Sequence, residues 1–349
     1  MKFIPQYQPE VRLRYIYDVA KQMYSGWVGT GKATDLFEDK IKEITGAKYA
    51  VSTTSGTTAL ILAIESLNLK KGSTILFPSY TFLAGANAAR FMGYNIRLVD
   101  IKEDTLCMNP DLIKVTEDVS CIMFVNHNGY VGVDAMIIRS ICDKHSIPMI
   151  EDSSQCIGIP TAGRTGDVGV FSFSVPKLVT TGQGGVLFTN REDISIKARQ
   201  VRDHGDNWRQ SKLHDYMGVN FKFNDILAAY GLSQLNILND LVSKRGNILK
   251  EYDGYIDLWL NGFPDIYRST WMATYRTKHA KEIMFYLKDM NIQATQYYKP
   301  VSWNKPYETN EKFPVTEKVY NELLYLPSSL NLKNYQIEMI CDCILEVEE

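Results

Sequence analysis

The sequence predicts an α/β protein: a mostly parallel seven-stranded sheet covered by helices, followed by a smaller C-terminal α+β part. Two observations carry that reading. Seven short apolar runs, rich in β-branched and aromatic residues, alternate with stretches of helical periodicity between residues 48 and 190, as strands joined by crossover helices do. The chain has 349 residues, 45% of them hydrophobic and 22% charged, enough for a large core and about two domains.

Taken in order, the strand-like runs are "KYAVS" (48–52), "STILFPS" (73–79), "YNIRLVD" (94–100), "SCIMFVN" (120–126), "IPMIED" (147–152), "VGVFSF" (168–173) and "GVLFTN" (185–190). Between the fourth and fifth, Asp134 is placed to cap a helix whose Ile137, Ile138, Ile141 and Cys142 share a face, with a turn at Ser146. After the seventh, "NDILAAYGLSQLNILNDLVSKR" (224–245) starts on an Asn/Asp cap and repeats apolar residues at helical spacing. It reads as one long helix joining a larger domain, 1–244, to a smaller one, 245–349, against which the N-terminal segment packs. No internal repeat, low-complexity tract or Pro/Gly linker interrupts the chain.

Several function classes are disfavoured. Net charge is -2 with Lys and Arg scattered, so there is no basic footprint for nucleic acid. The first residues lack the apolar core of a signal peptide, and no run approaches the roughly 18 apolar residues of a membrane span. A cytoplasmic protein is expected. The six cysteines fit reduced, mostly buried thiols, "CDC" at 341–343 is not a metal-ligand spacing, and no two of the five histidines stand four apart. No metal site is expected.

Three segments carry chemistry. "STTSGTTALILAIESL" (52–67) follows a strand and opens an apolar helix, so Gly56 and Thr57 offer backbone N–H groups and a hydroxyl at a helix start. That suits a phosphate, although a plain Ser/Thr cap looks the same; the Walker pattern GxxxxGK[ST] is missing. "IEDSSQC" (150–156) puts Asp152 at the end of a strand, the edge where open α/β sheets bind ligands, as either a cation partner or a turn cap. Lys177, in "FSFSVPKLVTTGQGG" (171–185), follows another strand and precedes a glycine-rich loop. It is either an exposed loop lysine or a desolvated amine able to form a Schiff base. A phosphate cradle, a carboxylate for a ring nitrogen and a Schiff-base lysine together are what pyridoxal phosphate asks of a protein.

Over nearly its whole length the chain resembles the DegT/DnrJ/EryC1/StrS family of pyridoxal-phosphate-dependent nucleotide-sugar aminotransferases, of fold type I. The matching segments are "SGWVGTGKATDLFEDKIKEITGAKYAVSTTSGTTAL", "FPSYTFLAGANAA", "EDSSQCIG", "GDVGVFSFSVPKLVTTGQGG" and "GVNFKFNDILAAYGLSQL". The resemblance implies that Lys177 bonds the cofactor aldehyde, Asp152 pairs with the ring nitrogen, Gln155 contacts the 3-hydroxyl and Phe82 stacks on the ring. It also implies that Gly56, Thr57 and Ser172 hold the phosphate, joined by Asn220 from a partner subunit, which makes the protein a homodimer with shared active sites. Trp27, Thr30, Lys222 and Trp303 are the implied substrate contacts. The chain departs from the family at Ser174, where His or an aromatic is usual, at Gln183, where Glu is usual, at Lys222, where Arg is usual, and at "YYKPVSWNKPY", which replaces a His-containing segment.

The implied activity is transfer of an amino group from L-glutamate to a nucleotide-linked 4-keto-6-deoxyhexose, UDP- or dTDP-linked by preference, through pyridoxamine phosphate and with ping-pong kinetics. A sugar 3-aminotransferase, a GDP-perosamine synthase, a transaminase of a small phosphorylated ketone with Trp303 filling the sugar pocket, and a non-catalytic cofactor-binding regulator are the alternatives. Lysine at position 177 argues against the related 3-dehydratases, which carry histidine there.

Overall fold

The computed structural model describes residues 2–206, 214, 216–259 and 271–349. Helices α1 (Leu13–Tyr24) and α2 (Lys32–Thr45) precede the sheet. The chain then alternates through β1 (Tyr49–Thr53), α3 (Gly56–Ser66), β2 (Thr74–Pro78), α4 (Ala84–Phe91), β3 (Asn95–Val99), β4 (Val119–Val125), α5 (Val133–His145), β5 (Met149–Asp152), β6 (Val168–Ser172), β7 (Gly185–Thr189) and α6 (Glu192–Arg202). All seven expected runs are strands of one sheet, in the order β1-β7-β6-β5-β4-β2-β3.

Neighbours from β6 to β3 run parallel, whereas β7 is antiparallel to both β6 and β1. No helix separates β6 from β7, and without a crossover the chain can only return antiparallel. The loop that makes this return contains Lys177. Side chains alternate across the strands: Val170 and Leu187 join Leu60, Ile64 and Met123 on one side, while Phe171 and Phe188 join Phe37, Ile41 and Phe223 on the other.

The helix expected over 224–245 is two helices, α7 (Asp225–Leu235) and α8 (Leu238–Asp253). Asn224 does cap the first, its side chain accepting from the Leu227 amide at 3.0 Å. The break falls at Ile237 (φ -122°, ψ 26°). Leu235 and Leu241 belong to the layer under the sheet, but Ile248, Leu249 and Tyr252 belong to a separate C-terminal cluster; the break re-aims the chain from one core to the other.

Helix α5 also differs from expectation. Gly132 occupies the cap position, and Asp134 sits inside the first turn, accepting from Lys102 Nζ at 3.2 Å and Thr105 Oγ1 at 2.9 Å. Ile138 and Cys142, four apart, are buried, but Ile137 is exposed because it lies about 100° around the helix from Ile138. The turn at Ser146 adopts the left-handed conformation (φ 52°).

The C-terminal part comprises β8 (Thr274–Arg276), α9 (Ala280–Asp289), α10 (Pro314–Glu322), β9 (Leu323–Tyr325) and α11 (Asn334–Glu348), with β8 and β9 antiparallel. Its core gathers Ile283, Leu287, Ile340 and Ile344 around Ile4 of the N-terminal segment. Gln6 Nε2 donates to the Tyr325 carbonyl at 3.0 Å, which ties that segment to β9. Val301, Tyr307 and Phe313 return to pack in the core of the large sheet, so the two parts are joined by more than α8. All six cysteines are buried and unpaired with one another. Among the described residues no helix is long and apolar enough to cross a membrane, and no group of three His, Cys, Asp or Glu could hold a metal ion.

Candidate active site

The C-terminal ends of β1, β5 and β6 and the start of α3 meet around a cavity of about 390 Å³. Gly56, Thr57, Phe82, Asp152, Gln155, Ser172 and Lys177 all line it, although they come from four separate stretches of chain.

The end of the cavity suited to an anion lies at the start of α3. Ser55 has extended backbone, its Oγ accepts from the Thr58 amide at 3.1 Å, and Thr58 Oγ1 accepts from the Ser55 amide at 2.9 Å. This reciprocal cap engages the third helical amide and leaves those of Gly56 and Thr57 pointing out of the helix start, where the dipole favours an anion. The cradle is close-built: a Cβ on Gly56 would meet Ser172 Cβ at 2.8 Å, and one on Gly185 would meet the Ser55 carbonyl oxygen at 2.2 Å.

Asp152 ends β5, and the Ser154 amide donates to its Oδ1 at 3.0 Å. Burial raises its carboxyl above the ordinary range, opposed by the Ser154 hydrogen bonds and the Lys177 charge.

Lys177 sits in a loop pinned at several points. Its own amide donates to the Ser174 carbonyl at 3.0 Å, Thr180 Oγ1 donates to the Phe173 carbonyl at 3.0 Å, and Gln234 of α7 grips Thr180 from both sides, at 3.0 and 2.6 Å. Gly182 supplies the positive φ (77°) that this turn needs. Burial pushes the Lys177 ammonium down to about 8, with Asp152 and Cys156 opposing. A lysine so placed is a neutral nucleophile far more often than one in water.

Five expected contacts lie elsewhere. Asn220 is exposed and bridges to Asp203; Lys222 Nζ is held by Asp203 Oδ1 at 2.7 Å; Thr30 Oγ1 donates to the Phe223 carbonyl at 2.6 Å; Trp27 is exposed. Trp303 packs edge-on against Tyr320 and does not line the cavity. It therefore does not fill the cavity in the way that would suit the small-phosphoketone alternative.

The cavity also includes residues that sequence reasoning does not single out: Ser55, Ser154, Tyr297 and Tyr298 stand within the motif segments, whereas Tyr7, Trp271 and Met272 lie outside all of them. Tyr298 accepts from Gln155 Nε2 at 3.4 Å and packs 5.6 Å from the Phe82 ring. Tyr7 and Trp271 come from opposite ends of the chain, so no local spacing links them to Lys177. Ser174 and Gln183, two of the departures from the family pattern, face the same space. Beneath it, His127 donates or accepts at Tyr325 Oη (3.1 Å) and is held down to about 3 by burial and by the Lys177 charge.

These residues fit pyridoxal 5′-phosphate. The donor set joins free helix-start amides to a carboxylate and an amine whose affinities for protons burial draws toward each other, within a cavity walled by aromatic rings.

Comparison with known proteins agrees. The chain is 29% identical over 360 residues to a GDP-perosamine synthase of Escherichia coli O157:H7, covering 99% of both chains, and 26% identical to one of Vibrio cholerae, covering 98% of both. Among solved structures, the aminotransferase TlmJ of Streptoalloteichus hindustanus superposes with a TM-score of 0.93 at 25% identity, over 99% of both chains. Helicobacter pylori PseC superposes at 0.90 and 24% identity, over 99% of both, which speaks for the fold. The architecture is that of fold type I pyridoxal-phosphate enzymes. With a family model matching residues 10–345, the chain belongs to the DegT/DnrJ/EryC1/StrS aminotransferase family and is a pyridoxal-phosphate-dependent aminotransferase.

Proposed function

We propose that this aminotransferase moves the amino group of L-glutamate onto the keto carbon of a nucleotide-linked 4-keto-6-deoxyhexose, giving the 4-amino-4,6-dideoxy sugar. The observation that carries the reading is the convergence of Lys177, Asp152 and the Gly56–Thr57 helix start on one cavity, in a member of this family. Bound pyridoxal phosphate supplies an electron sink that lets an amino group and a proton pass between carbon skeletons.

In this reading the amides of Gly56 and Thr57 and the hydroxyls of Thr57 and Ser172 hold the phosphate. Asp152 holds the proton on the ring nitrogen, Gln155 meets the 3-hydroxyl and Phe82 covers the ring. Lys177 anchors the cofactor through Nζ, and the same nitrogen, once released, takes a proton from the donor's α-carbon and delivers one to the aminated sugar carbon. Donor and acceptor use one site in turn, which gives ping-pong kinetics.

The active form in this reading is a homodimer. Asn220 lies outside the cavity of its own chain, which suits a role at the phosphate of the partner's site, and Trp27, Thr30 and Lys222 are assigned to substrate binding on the same grounds. Leu13, Tyr24, Trp27 and Met217 are exposed at 86, 95, 61 and 97%, apolar surface of the kind that a second copy covers. Residues 1–244 are taken as the cofactor-binding part and 245–349 as the smaller one, supported by the separate cluster around Ile283 and Ile340.

As to the nucleotide, the two GDP-perosamine synthases among the relatives support a GDP-linked sugar over the UDP- or dTDP-linked one expected from the sequence. The deciding experiment offers L-glutamate with UDP-, dTDP- and GDP-linked 4-ketosugars and small phosphoketones, and reads products by mass spectrometry. A GDP-linked amino sugar is the expected product; turnover of phosphoketones alone overturns the substrate class.

A further inference from the structure

Lys177 Nζ lies 4.2 Å from the centroid of the Trp271 ring, and both residues line the cavity. Trp271 is only 2% exposed, so its indole is fixed by packing. The other groups around the amine carry little charge: burial holds the Cys156 thiol well above its ordinary range and Tyr298 above its own, and it keeps His127 neutral. Asp152 is the charged partner in the cavity. On the far side of the loop, in the cleft that adjoins Lys177, Glu10 is engaged by Lys244 at 2.7 Å and Arg12 at 2.9 Å, and Arg245 is buried.

An ammonium group in such surroundings has lost most of its water. An aromatic face returns part of that loss without taking a directional hydrogen bond, and indole does so best. We propose that Trp271 is a positioning residue: its indole face is the seat of the free Lys177 amine, holding Nζ beside the cofactor space and favouring its protonated form. The seat matters whenever the amine is not bonded to the cofactor and must hold a proton, so the inference rests on the working role assigned to Lys177. A carboxylate in the same place would trap the ammonium; a ring face lets it leave.

The test measures the proton affinity of Lys177 directly. Cofactor-free protein is labelled competitively with trace acetic anhydride across a pH series, and acetylation of the Lys177 peptide is read by mass spectrometry. In Trp271→Leu the midpoint falls by about half a unit to one and a half units, and in Trp271→Phe it falls by less. The unsubstituted chain grown on mono-, di- and trifluorinated tryptophan keeps the ring's shape while weakening its attraction for cations, and its midpoint falls stepwise with fluorine number. The same analogues in Trp271→Phe control for the other four tryptophans and leave the midpoint flat. A midpoint that stays put or rises across the fluorinated series overturns the proposal, whether or not the leucine variant folds. Because labelling needs no turnover, a chain inactive on every ketosugar still reports on the seat, and failure of the proposed function is read separately.

Discussion

Glu38 of α2 and Arg202 of α6 form a buried ion pair, Oε1 to Nη1 at 2.9 Å, with Arg199 Nη2 on the second oxygen at 2.7 Å. The Ser52 amide and hydroxyl both donate to Oε1 at 2.8 Å, so one carboxylate ties two helices to β1.

Removing one partner of such a pair leaves the other charge buried. Glu38→Ala is expected to destabilise the fold by about 3–5 kcal/mol, read as a lowered midpoint in urea unfolding. Burial raises the Glu38 carboxyl, but Arg202, Arg199 and Ser52 together hold it below its ordinary value. Burial lowers Arg202 more than Glu38 raises it, yet a guanidinium remains charged across the accessible range, so the carboxylate sets the pH dependence. A depressed carboxylate contributes fully above its unfolded value of about 4.3 and loses that contribution as pH falls through the folded one. The difference in stability between wild type and Glu38→Gln should therefore shrink only in acid.

The role proposed for Lys177, capture of the cofactor aldehyde, needs its neutral amine. With the ammonium pushed down to about 8, about a tenth of the amine is neutral at pH 7, against less than about a thousandth for an ordinary lysine. The rate at which cofactor-free protein turns yellow should climb through pH 8 and level off above it. In Lys177→Ala no borohydride-fixable absorption band forms, and turnover drops by more than about 10³-fold.

The proposed phosphate cradle has no room for a methyl group at Gly56. Gly56→Ala drives Cβ against Ser172 and is expected to weaken cofactor binding about tenfold, equivalent to about 1.4 kcal/mol, as followed by fluorescence titration. Unchanged affinity would mean that the phosphate is held elsewhere.

The exposed face of α1 predicts an assembly defect. Leu13→Asp with Tyr24→Asp places two charges on apolar surface, and sedimentation should show monomers where the proposed homodimer is expected for the wild type. Because the partner's Asn220 is assigned to the phosphate, the monomer should also bind cofactor more weakly.

Residue order alone determined much of this protein. The strands were legible because each is a short apolar run bounded by turn residues, and the convergence of Lys177, Asp152 and the Gly56–Thr57 step on one cavity was legible because each stands in a compact motif: Asp152 at a strand end, Gly56–Thr57 at a helix start and Lys177 in the loop that follows a strand. Tertiary structure decided what spacing does not encode. The split of 225–253 into two helices at Ile237 depends on two cores pulling on the same segment. Tyr7, Trp271 and Tyr298 reach Lys177 only because the N-terminal segment and the C-terminal part fold back over the sheet. Trp303, in the same segment as Tyr298, turns instead toward Tyr320. A cavity is defined by which surfaces meet, and contacts made across hundreds of residues leave no periodic trace in the order of the chain.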